Sequence, residues 1–238
     1  MKTFAAALLV AASASAAVTI TVDHNAGAAA TAAFQFARVP PPSKSDAAST
    51  ATVTVIAGTL DRGSADVRAL VDGLAPTVDD DPGANVFFRA NTWGGRIRFD
   101  FGKTIDVAQI TSYSWHPDSR APQLYYVYGS DGTSPTFDPA PGTKKDLAAC
   151  GWTKIAFVDT RPPEGDRGGQ YAVSITDTTG SLGRYRYLLF DVFETESDDV
   201  WGNTFYSEID VLRRDRDEQR GGRQSRAETR PSHAARCR

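Results

Sequence analysis

The chain has 238 residues, 41% hydrophobic and 23% charged, enough apolar material for one large β domain and too much for a disordered chain. Met occurs only as the initiator, whereas Val, Ile, Phe, Tyr and Thr abound, residues that suit a pleated, half-buried surface. Residues 213–238 hold nine Arg against four acidic residues, so residues 18–212 carry −9 of a whole-chain −3, which argues against a nucleic-acid partner.

The first segment reads as an export signal. Met1-Lys2 is a short positive start, residues 4–12 are an apolar run, and Ala14-Ser15-Ala16 or Ser15-Ala16-Ala17 offers a cleavage site. The run is too short to cross a bilayer as a helix, so residues 1–17 predict a signal peptide and a secreted or periplasmic product that does not span the membrane. Two cysteines, Cys150 and Cys237, make a poor disulfide framework. The core must therefore stand on packing.

Residues 18–51 predict an N-terminal strand, over 18–22, and then a linker, because Ala-rich and Pro-rich stretches follow (Pro40-Pro41-Pro42). From residue 52 short β-rich runs alternate with turn signals. Runs at 52–56, 96–101, 107–113, 124–128, 154–158, 171–175, 185–192 and 205–212 read as strands, and residues 67–71 as a turn of helix. Residues 96–101 alternate with period two and stop at Gly102-Lys103, which reads as a hairpin turn. Many short strands without intervening helices predict an all-β sandwich over 52–212. Residues 213–238 have almost no apolar side chain beyond Ala and predict a disordered Arg-rich tail, a dispensable end in preference to a hook for anionic polymers.

Enzyme signatures are missing. There is no Gly-x-Ser-x-Gly elbow and no His-Glu-x-x-His pair, and Gly102-Lys103-Thr104 lacks the phosphate-loop glycine, since Ile97 stands there. Of the three histidines, His24, His116 and His233, only His116 falls mid-domain. Asp118 and Asp199 are the acid pair that a hydrolase would need, and the expectation is that they do not face each other.

Several segments recur in a telling order: Leu70-Val71-Asp72-Gly73-Leu74, Ile105-Asp106-Val107, Tyr125 to Gly129, Trp152-Thr153-Lys154-Ile155-Ala156, Arg184-Tyr185-Arg186-Tyr187-Leu188 and Ser207-Glu208-Ile209-Asp210-Val211. This order resembles the discoidin, or coagulation factor V/VIII C-type, superfamily of galactose-binding-like jelly-roll β-sandwiches, whose carbohydrate-binding branch includes the family 32 modules. The resemblance covers roughly residues 52–212. It implies a non-catalytic extracellular module with carbohydrate or another glycan as ligand; the alternative is a structural or adhesive module that contacts a protein of the cell envelope.

The resemblance also implies a structural Ca²⁺ between the early Asp-Gly loop and the last strand. Carried over by position, Asp72 and Glu208 would supply carboxylates, Ala69, Leu74 and Ser207 carbonyls, and Thr77 a hydroxyl or carbonyl, a set in keeping with calcium's preference for oxygen. The family's sugar site lies on loops at one end of the sandwich. It needs an aromatic face for the sugar's C–H surface and polar groups for its hydroxyls. His116, Asp118 and Arg120 on one loop, Arg89, Asn91 and Trp93 on a second, and Trp201 and Asn203 on a third offer that chemistry. Trp201, between acids and a Gly, is the expected stacking ring; Trp115 and Trp152 are expected in the core.

Overall fold

The computed structural model describes residues 17–165, 167–195 and 203–214. Its strands are β1 (Val18–Asn25), β2 (Thr52–Ala57), β3 (Gly95–His116), β4 (Leu124–Ser130), β5 (Thr153–Asp159), β6 (Gly169–Asp177), β7 (Gly183–Val192) and β8 (Tyr206–Arg213). All their pairings are antiparallel. The described residues otherwise form short 3-10 turns, including Val67–Val71 where a turn of helix was expected. The fold is an all-β jelly-roll sandwich.

Strand β3 builds both layers. Its first half pairs with β2 on one side and β7 on the other, and β7 continues to β4 and β5. Its second half pairs with β8 and β6, and β6 with β1. Period-two alternation points Ile97, Phe99, Val107, Tyr125, Val127, Val173, Ile175, Leu188, Phe190, Ile209 and Val211 into one buried core. Each such side chain contributes about 1.5–3 kcal/mol by leaving water.

The expected hairpin at Gly102-Lys103 is not formed. Asp100 faces Tyr187 and Ile105 faces Tyr185, so residues 101–104 bulge from one continuous 22-residue strand. Gly102 takes a left-handed φ of 71° and its N–H donates to Asp100 Oδ1 at 2.8 Å. Local turn chemistry is present, but β7 holds both halves of the strand in the same direction, and pairing prevails over the turn.

The stretch expected to be a linker does more than connect. After β1, Asp23 Oδ2 accepts from the N–H groups of Arg38 (2.6 Å) and Val39 (2.8 Å). That folds Phe34 and Val39 onto Tyr113, Trp115 and Ala172 as a second, smaller core on the outer face of the β6 layer. Trp115 is buried there, edge-on to Phe34 at 5.4 Å. On the outer face of the other layer, residues 131–152 bring Leu147 and Trp152 over Tyr187 and Leu189. Trp152 Nε1–H donates to Asp138 O at 2.9 Å. Both tryptophans expected in the core lie there.

Candidate functional site

Three segments meet at one end of the sandwich: the loop before β3 (80–94), the loop after it (116–123) and the approach to β8 (203–205). Backbone bonds tie them. Val86 and Tyr206 exchange N–H and C=O at 2.8 and 3.1 Å, and Phe205 N–H donates to Arg120 O at 2.9 Å. Thr204 Oγ1 donates to Pro122 O at 2.5 Å, and Asn203 Nδ2 to Arg89 O at 3.0 Å. Thr92 Oγ1–H shares that Arg89 carbonyl at 2.6 Å, which shapes the Asn91–Trp93 turn, with Asn91 at a left-handed φ of 59°.

Phe87 and Phe205 stack at 4.2 Å on this platform. The Arg120 guanidinium carbon lies 3.8 Å from the Phe205 centroid and 4.6 Å from that of Phe87, while its Nε donates to Asn203 O at 3.2 Å. Contact of a guanidinium with an aromatic face is worth about 0.5–2 kcal/mol and fixes the plane of the fork. His116 meets Phe205 edge-on at 4.9 Å from the other direction. Its Nδ1 accepts from Asp118 N–H at 3.0 Å, so the neutral ring carries its proton on Nε2. Burial, and next the Arg120 charge, hold the imidazole below its ordinary range and keep it neutral. Nε2 lies 3.9 Å from Asp80 Oδ1, too far for a hydrogen bond.

Trp93 stands beside this floor with 82% of its surface exposed. The turn under it is rigid: Gly94 has φ 92°, and a Cβ there would strike the carbonyl oxygen of Val192. Asn203 is buried, and its Oδ1 has no hydrogen-bond partner among the described residues. The end of the sandwich thus offers donors on Arg120 and His116, carboxylates on Asp80 and Asp118, and a large apolar ring. That mixture suits a neutral, hydroxyl-rich molecule with an apolar face.

Of the sugar-site residues read from the sequence, His116, Asp118, Arg120 and Asn203 come together, with Arg89 and Trp93 on the adjoining loop. Arg89 contributes to the scaffold through its carbonyl, and Asp118 through its N–H. Trp201, Gly202 and Asp199 lie outside the described residues, as do residues 1–16, His233 and Cys237. Phe87, Phe205 and Asp80 were not singled out. The signal available was the aromatic pairs Phe87-Phe88 and Phe205-Tyr206, since an extended segment can send only one of two neighbours into the core.

At the other sequence-predicted site, Glu208 is fully buried. Its Oε2 accepts from Gly73 N–H at 2.9 Å, and its Oε1 has no hydrogen-bond partner among the described residues. Burial first, then Asp210 and Asp72, push its carboxyl up to about 10. Asp72 sits on the exposed turn, with Oδ1 accepting from Leu74 N–H at 2.8 Å, and Gly73 takes φ 66°. Asp210, two residues on, also has a buried oxygen without a hydrogen-bond partner among the described residues. Among the described residues no three His, Cys, Asp or Glu side chains converge to hold a metal. A cation here would draw on Glu208, Asp72 and main-chain oxygens of Ala69, Leu74, Thr77 and Ser207. A buried carboxylate oxygen on β8, without a partner among the described residues and facing the Gly73 turn, fits a hard cation such as calcium.

No family model matches the chain, and no curated protein does. Solved structures similar to it include a family 32 carbohydrate-binding module of C. perfringens NanJ, in complex with galactose, at 12% identity. The match covers 68% of this chain and 93% of that one, with a TM-score of 0.43. A Streptococcus pneumoniae fucose-binding module matches at 16% identity over 71% of this chain and 95% of its own, with a TM-score of 0.44. A fucolectin from striped bass (Morone saxatilis) serum matches at 13% identity over 71% of this chain and 48% of its own, with a TM-score of 0.45.

Proposed function

We propose that the chain is a non-catalytic, exported glycan-binding module whose site is the loop end of the sandwich. The observation that carries this reading is the pairing of Arg120 and His116 against one ring, Phe205, beside the exposed Trp93. Trp93 supplies the stacking face. The guanidinium and the Nε2–H of His116 donate to sugar hydroxyls, and Asp80 and Asp118 accept from them. The floor that holds these groups is rigid, so little entropy is lost on binding. A site of this size suits weak single-site affinity, on the order of 10–1000 µM. A structural calcium held by Glu208, Asp72 and the carbonyls around Gly73 belongs to the same reading. It would brace the early turn against β8, and the signal-like start of the chain would deliver the module outside the cell.

A glycan-array screen of the full chain in calcium tests this, with Trp93→Ala and His116→Ala beside it. The expected result is a specific set of glycans whose binding both substitutions remove. An array without specific binding, or binding indifferent to both, would overturn the reading.

A further inference from the structure

We propose that the glycan site continues from the loop end onto the outer face of the β4–β5 hairpin, where Phe193, Tyr126 and Phe157 form a track for a linear oligosaccharide. The inference rests on the glycan reading above and specifies its ligand: several linked sugars, in place of a single terminal one.

Seven large hydrophobic side chains are exposed among the described residues, and of these only Trp93, at 82%, and Phe157, at 43%, are aromatic. They stand at the two ends of one run. Gly94 lies against the backbone of Val192 and Phe193, so the turn that carries Trp93 passes beside the start of the Phe193 segment. Phe193 N–H donates to Leu124 O at 3.0 Å, which anchors it at the start of β4. Its ring meets that of Tyr126 edge-on at 5.9 Å, and Tyr126 lies 4.5 Å from Phe157. Tyr126 and Phe157 are partners in the β4–β5 register. Because Tyr125 and Val127 are buried in the core, Tyr126 and Tyr128 point to the outer face.

The chemistry of the strip favours a sugar chain over a protein. Rings a few ångströms apart alternate with polar groups: the phenol of Tyr126, that of Tyr128 at 6.2 Å ring to ring, and the Lys154 ammonium 5.5 Å from the Tyr126 centroid. The exposed Phe157 ring can take the C–H face of one sugar while hydroxyls of its neighbours along the run meet the phenols and the ammonium. A stable protein interface needs roughly 800 Å² on each partner, far more than one row of rings supplies. The five remaining exposed apolar side chains do not enlarge it: Val18 and Ile20 lie on β1, at the edge of the other layer, Leu74 and Val78 on the turn beyond the Gly73 loop, and Leu212 near the end of β8.

Calorimetric titration of the full chain with cello-, galacto- and chito-oligosaccharides of one, two and four units tests the track. In at least one series the tetrasaccharide should bind about tenfold or more tighter than the monosaccharide. Phe157→Ala should remove that gain and leave the monosaccharide affinity unchanged, and Phe157→Tyr, which keeps the ring, should retain it. Equal affinity for one and four units in every series that binds, or a gain that survives Phe157→Ala, would overturn the track and leave the loop-end site standing. Absence of binding in all three series, together with a blank array, would overturn both.

Discussion

Arg120 and Phe205 are locked together, with the guanidinium carbon over the ring face 3.8 Å from its centroid and the Phe205 N–H bonded to the Arg120 carbonyl. One residue of the loop after β3 thus grips the approach to β8 twice, by side chain and by backbone. Arg120→Ala leaves the backbone bond and removes the stacked cation and the Nε–H bond to Asn203 O. The expected loss of stability is about 1–3 kcal/mol by urea unfolding. Arg120→Lys should not restore it, because an ammonium lacks the planar fork.

His116 sets a pH dependence. Its folded-state value is depressed by burial and by Arg120, so below the ordinary range of about 6.5 the unfolded chain takes up a proton that the folded chain resists. Stability contributed by the neutral ring is therefore present above about pH 6.5 and is lost as pH falls through the folded value. Urea unfolding at pH 7 and pH 5 should show a smaller pH-linked loss in His116→Gln than in the parent. Equal losses would mean that the ring is not held neutral.

Gly94 carries the Trp93 turn. At φ 92°, with the Val192 carbonyl where a side chain would begin, Gly94→Ala should cost about 1–3 kcal/mol and displace the 89–94 loop. Thermal unfolding measures the first effect. The second predicts lost glycan binding from a substitution that touches no ligand, and retained binding would show that the turn does not position the ring.

Glu208 tests the cation proposal. Calcium at about a hundredfold its dissociation constant should stabilise the wild type by about 2.7 kcal/mol, and chelator should reverse this. Glu208→Gln should remove the response. Loss of calcium sensitivity without loss of folding is expected, because the amide oxygen can still accept from Gly73 N–H. A wild type indifferent to calcium would contradict the proposal.

Much of the architecture was legible because its strands obey a period of two. In 96–101 Ile97 and Phe99 face the main core, and in 185–192 Leu188, Phe190 and Val192 do so while Tyr187 and Leu189 turn to the outer cluster, and no helical period competes. Gly102-Lys103 misled because a turn signal is local, whereas the partner that overrides it, β7, lies some eighty residues away. The small core that residues 18–51, read as a strand and linker, help to build was hidden for a similar reason: Phe34 and Val39 are too sparse to show a pattern, and only the outer face of Tyr113 and Trp115 gives them a place. At the site, the polar residues His116, Arg120 and Asn203 stood out by type. Phe87 and Phe205, which hold them, look in sequence like any other core aromatic. Tyr126 and Phe157 were hidden likewise, since their facing is decided by register.

The most direct measurement is a two-dimensional NMR titration of the indole N–H signals as a glycan selected on the array is added. Trp93 should shift progressively with ligand. Trp152, whose N–H is bonded to Asp138 O within the packed 131–152 segment, should stay fixed. A moving Trp152 signal with a still Trp93 would contradict the account, because the glycan would then be bound away from the loop end that Arg120, His116 and Trp93 define.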